Sequence, residues 1–226
     1  MKRIILIFLL SVTTVNFLIA QQSPKLVFIL SPGFSLLQSP ENFSDLWKPG
    51  LGLSTGLEYP IKNNLKFRGL LSFDLSSPDH DPFVRNYLIL QSINPAEFDL
   101  NDWSIERGLA TFMGACVDLK LDFPFNRKLT AYGFGGGGVN WFYVKQVSIR
   151  RAGGSVLSFS TPTVSKISPS VNFGAGMEFS LSELASIFVE ANQMIAFTSL
   201  EMENLPFSSD KESVTYLKIR AGIRIR

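Results

Sequence analysis

The sequence predicts an all-β fold, an eight-stranded antiparallel up-and-down barrel. Three observations lead there. Apolar and polar residues alternate with a period of two through most of the chain. Short turns take turns with long polar loops. Glycines and charges gather on one face of the expected strands. The composition agrees: the 226 residues are 46% hydrophobic but only 18% charged, below the roughly 25% of an ordinary globular domain. That balance excludes a disordered chain and a strongly basic nucleic-acid binder.

The first element is set apart from the rest. Lys2 and Arg3 precede an apolar run from Ile4 to Leu10, which continues to Ala20 and is followed by Gln21 and Gln22. This is the pattern of a secretory signal peptide cleaved after Ala20. Residues 1–20 are therefore expected to be a signal peptide and 21–226 a single domain. Ser11, Thr13, Thr14 and Asn16 leave the apolar run too short for a membrane anchor. Without Lys2 and Arg3, the 21 basic residues fall to the same number as the 19 acidic ones. The lone thiol, Cys116, can form no internal disulfide.

Strands follow in order, near 25–37, 50–59, 65–75, 105–123, 129–147, 164–179, 186–197 and 212–226. In the second, Leu51, Leu53, Thr55, Leu57 and Tyr59 alternate with Gly50, Gly52, Ser54, Gly56 and Glu58. In the last, Leu217, Ile219, Ala221, Ile223 and Ile225 alternate with Lys218, Arg220, Gly222, Arg224 and Arg226. A helix would mix these two sets on one face. Short breaks at Pro60–Asn64, Pro124–Lys128 and Ser180–Ala185 mark hairpins. The remaining connections, near 38–49, 76–104, 148–163 and 198–211, are long and polar. Within the second of these, Phe83–Leu90 is itself strand-like and suggests a wall extended beyond the barrel. Even strand number with short turns at one end and long loops at the other is the plan of a membrane barrel.

Alternation does not say which face is inside, because a soluble lipocalin-like barrel has the same period with the faces reversed. Glycine decides it. Gly50, Gly52, Gly56, Gly108, Gly114, Gly174, Gly176 and Gly222 share the polar face. A solvated strand surface gains nothing from glycine, whereas the crowded interior of a small barrel needs small residues. The same face carries Glu58, Lys66, Arg68, Asp118, Lys120, Asp122, Glu178, Glu190, Arg220 and Arg224. Facing inward, these form an expected lumen charge network. The opposite, almost purely apolar face is then lipid-facing. Trp47, Trp103, Trp141, Tyr143 and Tyr216 fall near the long-loop end and are expected to form an aromatic girdle there. Tyr59, Phe123 and Phe179 lie at the short-turn end.

With Gly50–Tyr59, Asn172–Phe179 and the closing Tyr216–Arg226 strand, the chain resembles the small outer-membrane β-barrels of Gram-negative bacteria, such as the OmpA transmembrane domain and the OmpX and OmpW groups. The resemblance covers residues 21–226. It implies a transmembrane barrel in the outer membrane, inserted by the barrel-insertion machinery and surrounded by lipid and lipopolysaccharide. Short turns would be periplasmic and long loops extracellular. The last strand of such barrels usually ends in an aromatic residue; here it ends in Ile225 and Arg226, which weakens that insertion signal.

Candidate chemistry is sparse. His80 is the only histidine, in Ser76-Ser-Pro-Asp-His-Asp-Pro82. It could be a base with Asp79 or Asp81 as orienting partner and Ser76 or Ser77 as nucleophile, but adjacent loop residues rarely hold that geometry. Asp79, His80 and Asp81 are too close in sequence to converge on one metal ion. The run Gly135–Gly138 lacks the Lys-Ser/Thr of a phosphate loop and serves strand packing instead. No catalytic residue, cofactor or metal is therefore expected, and no nucleic acid. Arg150-Arg151 could meet lipopolysaccharide phosphates or simply be solvated. The expected function is a non-enzymatic scaffold with a side-chain-filled barrel and long contact loops. Two alternatives are a narrow passive channel for small solutes and an outer-leaflet lipid-modifying hydrolase.

Overall fold

The computed structural model describes residues 26–39, 44–90, 92–97, 99–151, 159–160, 163–198 and 213–226. The expected signal peptide at 1–20 and most of the loop at 198–211 lie outside them. Eight long strands close into a barrel: β1 (Val27–Ser39), β2 (Gly50–Pro60), β3 (Leu65–Ser76), β5 (Ala110–Pro124), β6 (Leu129–Val144), β9 (Val164–Ser180), β10 (Ala185–Ala196) and β11 (Val214–Ile225). Every neighbouring pair is antiparallel, and β1 closes the ring against β11, with Phe34 opposite Ile219. The eight expected strands are thus the wall of a closed up-and-down barrel, which leaves no edge unpaired.

Three tight turns join strands at one end. In each, the first turn residue donates its backbone N–H to the carbonyl four residues on: Ile61 to Leu65 at 2.9 Å, Phe125 to Leu129 at 3.0 Å and Leu181 to Ala185 at 2.9 Å. Asn126 Oδ1 accepts from the Lys128 and Leu129 amides, both at 2.8 Å. Ser182 Oγ does the same for Leu184 and Ala185. These polar side chains satisfy backbone donors that the ladder leaves free, which is why the turns are rich in Asn and Ser.

The long-loop end departs from the sequence reading in three ways. The strand expected near 105–123 is two strands, β4 (Trp103–Arg107) and β5, interrupted at Gly108, whose φ of +152° suits glycine. Gly108 therefore belongs to the break and not to the polar face of a single strand. Second, β4 pairs with β7 (Ser148–Arg151), which pairs with β8 (Phe159–Ser160), in a small separate sheet. Third, Phe83–Leu90 is not strand: His80–Leu90 is a helix, α1. Phe83, Val84, Tyr87 and Leu88 are its buried residues, at 3%, 0%, 6% and 0% exposure. Positions i, i+1, i+4 and i+5 lie on one face of a helix but on both faces of a strand. The extension of the wall is made by β4 and β7, and the helix packs as a cap.

The inside–outside assignment follows strand parity. Outward residues include Leu51 at 65%, Ile167 at 75% and Val189 at 56% exposure, whereas inward Glu58 and Arg68 are fully buried. No arrangement of this kind is stable with its outer wall in water, because contiguous apolar surface on that scale drives association. In a bilayer the same wall is matched to its solvent, and the closed ladder satisfies the backbone.

Candidate functional site

The interior is filled in tiers. Nearest the short turns, Lys120 Nζ lies 3.4 Å from Glu58, 3.2 Å from Glu178 and 3.2 Å from Asp122. Arg224 reaches Glu178 at 2.6 Å and Glu58 at 3.2 Å. Lys66 pairs with Asp122 at 2.8 Å, and Ser186 donates its hydroxyl to Glu178 at 2.6 Å. In the next tier Arg68 donates to Asp118 Oδ2 from Nε at 3.1 Å and Nη2 at 2.8 Å, and from Nη1 to Glu190 at 2.7 Å. Tyr132 donates to Glu190 at 3.1 Å and Asn172 to Asp118 at 2.6 Å. Charges so enclosed persist because they meet partners of opposite sign or hydrogen-bonding type, several of them for Arg68, Lys120, Glu178 and Arg224.

Aromatic rings complete these tiers. The Arg68 guanidinium lies 3.9 Å from the Phe134 ring centre, and that of Arg224 is 4.0 Å from Phe188 and 4.7 Å from Tyr132. Room for the rings comes from glycine on the neighbouring strand. Tyr132 sits opposite Gly176 and Phe134 opposite Gly174. A Cβ on Gly176 would collide with the Tyr132 phenol, and one on Gly174 would lie 2.5 Å from the tip of Phe134. Here the inward glycines serve close approach.

Toward the long loops, Lys218 donates to Asp74 at 2.6 Å and Ser72 at 3.0 Å. Tyr216 then donates to Asn140 at 2.7 Å. Above it the lumen turns apolar. Phe112, Phe142, Val144, Met194, Ala196 and Val214 join Leu46, Trp47, Trp103, Val147 and Ile149 and the buried face of α1 in one cluster. Phe112 packs edge-on to Phe142, with ring centres 5.6 Å apart, and Tyr216 touches both. This cluster closes the long-loop end of the barrel.

Every charged residue expected in the lumen faces inward. All of them are ion-paired except Arg220, which is buried but holds no such pair among the described residues. Lys218, on the polar face of the last strand with Arg220 and Arg224, pairs with Asp74 at 2.6 Å; Asp74 lies outside the expected set, although it stands between outward Phe73 and Leu75. The aromatic girdle needs correction. Trp141 and Tyr143 do face outward, 41% and 36% exposed, and Trp141 Nε1 donates to Ser165 at 2.8 Å. Trp47, Trp103 and Tyr216 are instead inside, at 7%, 3% and 2% exposure, as members of the apolar cluster. Loop packing turns both tryptophans in, and Tyr216 shares the inward parity of Lys218 and Arg220.

His80 does not assemble the triad considered from sequence. Its Nε2 donates to the Trp103 carbonyl at 2.7 Å, and its Nδ1 contacts Asp81 at 2.8 Å. The Ser76 hydroxyl turns away, donating to the Lys48 carbonyl. His80 thereby ties the start of α1 to β4. The hydrogen bond to Asp81, then that to Trp103, raise its pKa above the ordinary histidine value, against desolvation and the smaller opposing effect of Lys48. A raised pKa means that the folded state holds the proton more tightly. The tie therefore contributes fully below the unfolded histidine pKa and is lost as pH rises through the folded one. Hydrogen exchange at Tyr87 and Leu88, corrected for its intrinsic pH dependence, should accelerate over that window. In His80→Phe that extra pH dependence should be absent.

Wall and filling together define a small transmembrane β-barrel of the outer-membrane type, with its lumen occupied by its own side chains. No protein-family model matches the chain, and no curated protein sequence matches it. Among solved structures it is similar to a major outer membrane protein from Thermus thermophilus, with 13% identity and a TM-score of 0.55 over 88% of this chain and 98% of that one. It is also similar to Neisserial surface protein A, with 11% identity and a TM-score of 0.51 over 89% and 96% of the two chains. At such identities the likeness is one of fold.

Proposed function

We propose that the chain is a sealed outer-membrane barrel that acts as a non-enzymatic scaffold, anchored by its wall and making contacts through its long-loop end. The short turns would face the periplasm and the loops the cell exterior, among lipopolysaccharide. The observation that supports this reading best is the apolar cluster across the long-loop half of the lumen, capped by α1. A solute crossing the barrel would have to displace both that cluster and the ion-paired tiers below it. An eight-stranded barrel is only wide enough to be filled by side chains, and here the ion-paired tiers and the apolar cluster close it toward both ends. The cap also gives the loop end an ordered surface, with β4 and β7 rising beyond the barrel rim.

Planar-bilayer recording tests the sealed reading directly. The purified, folded protein is expected to give no steady single-channel current. Steady currents of uniform size would overturn the scaffold in favour of a narrow channel for small solutes. Protease shaving of intact cells tests the orientation: cleavage within the long loops is expected, and cleavage confined to the short turns would reverse it.

A further inference from the structure

We propose that Arg220 anchors a binding site for a small inorganic anion, of the halide kind, enclosed in the middle of the barrel. Arg220 faces inward from β11 and is 3% exposed. Across the ladder it stands opposite Glu190 on one side and Gly33 on the other. The Glu190 carboxylate is already held by Arg68 at 2.7 Å and by Tyr132 at 3.1 Å. Among the described residues no carboxylate forms an ion pair with Arg220, and its Nη2 has no hydrogen-bond partner. A guanidinium cannot shed its proton to escape this situation. A buried, unpaired charge of this kind needs a counter-charge or solvation.

Inward groups on nearby strands include donors without partners. The hydroxyls of Ser31 and Ser54 and the amide nitrogen of Asn192 are all without partners, at 1%, 1% and 0% exposure. Ser31 and Ser54 are directly opposite each other on β1 and β2. Asn192 is the next inward residue after Glu190, opposite Lys218. Close approach is built in: a Cβ on Gly33 would meet Arg220 Cγ at 2.7 Å, and one on Gly222 would meet Ser31 Cβ at 2.6 Å. The stem of Arg220 thus lies over Gly33, and Ser31 lies beside the strand that carries Arg220. Two residues along the same face, Lys218 adds a second cation, paired with Asp74 at 2.6 Å. A spherical anion accepts hydrogen bonds from any direction and suits a guanidinium, two hydroxyls and an amide carried on four strands of one interior surface.

The site does not depend on the scaffold reading, since a sealed barrel and a conducting one could each hold it. The test is to refold and crystallise the protein in sodium bromide and collect diffraction at the bromine edge. An anomalous peak in contact with the Arg220 guanidinium is expected, and it should vanish in Arg220→Gln. Folding of that variant is checked by the heat-dependent gel shift of an intact barrel. In solution, replacing gluconate by bromide at constant ionic strength should raise the melting temperature of the parent protein and leave that of Arg220→Gln unmoved. Only water at Arg220 in the bromide crystals, a peak that survives in the variant, or equal melting shifts in both proteins would each overturn the site.

Discussion

Arg68→Ala is expected to destabilise the folded barrel by about 3–5 kcal/mol, the cost of breaking a buried ion pair by removing one partner. Arg68 is fully buried and is shared between Asp118 and Glu190. Truncation leaves Asp118 with only its bond from Asn172, and Glu190 with Tyr132 and a distant Arg224 at 3.9 Å. Two carboxylates then face a wall from which solvent is excluded, and the Phe134 ring loses the cation stacked on it at 3.9 Å. Replacing the charges together, as Arg68→Met with Asp118→Asn and Glu190→Gln, should recover much of the loss, because neither carboxylate is then left without its cation. Denaturant titration of folding into lipid vesicles measures both. A single variant as stable as the parent would show that the tier contributes nothing.

Phe142→Ala and Trp141→Ala should differ sharply although they are neighbours on β6. Phe142 is fully buried against Phe112 and Tyr216, and its truncation opens a cavity in the apolar cluster. The expected cost is about 3–5 kcal/mol. Trp141 points outward at 41% exposure, where lipid fills the space its ring leaves. Its loss forfeits one hydrogen bond to Ser165 and interfacial anchoring, so the effect should be clearly the smaller of the two. Equal losses would mean that the inner cluster is not a packed core.

Much of this is legible along the chain. The pleat of a strand sends successive side chains to opposite faces, so parity alone puts Arg68, Asp118 and Arg224 on one side and Leu119 and Ile223 on the other. Inward glycine is equally informative, because Tyr132 and Phe134 need Gly176 and Gly174 beneath them. Two signals are present but masked by a stronger local pattern. Tyr216 has the parity of Lys218, yet its place near the loop end suits a girdle. Phe83, Val84, Tyr87 and Leu88 have helical spacing within a stretch rich in strand-forming residues. For Trp47 and Trp103 no local signal exists: Trp47 is placed by a bridge to Pro78, and Trp103 by the pairing of β4 with β7.

The wall can be read from the chain alone: its strands, its three tight turns and the side of each strand that is apolar. Those are properties of short stretches, set by backbone period and by turn residues, and they hold whatever the strands later meet. Which charges are partners is set by the closed barrel. Lys120 and Glu58 are 62 residues apart, and Arg68 and Glu190 are 122 apart. Closure of the ring and the tilt of its strands bring such pairs to one level. The same closure leaves Arg220 beside a carboxylate already taken. It also lets the loops fold inward over the mouth, because apolar side chains beyond the bilayer have no lipid to meet and bury themselves in the barrel instead.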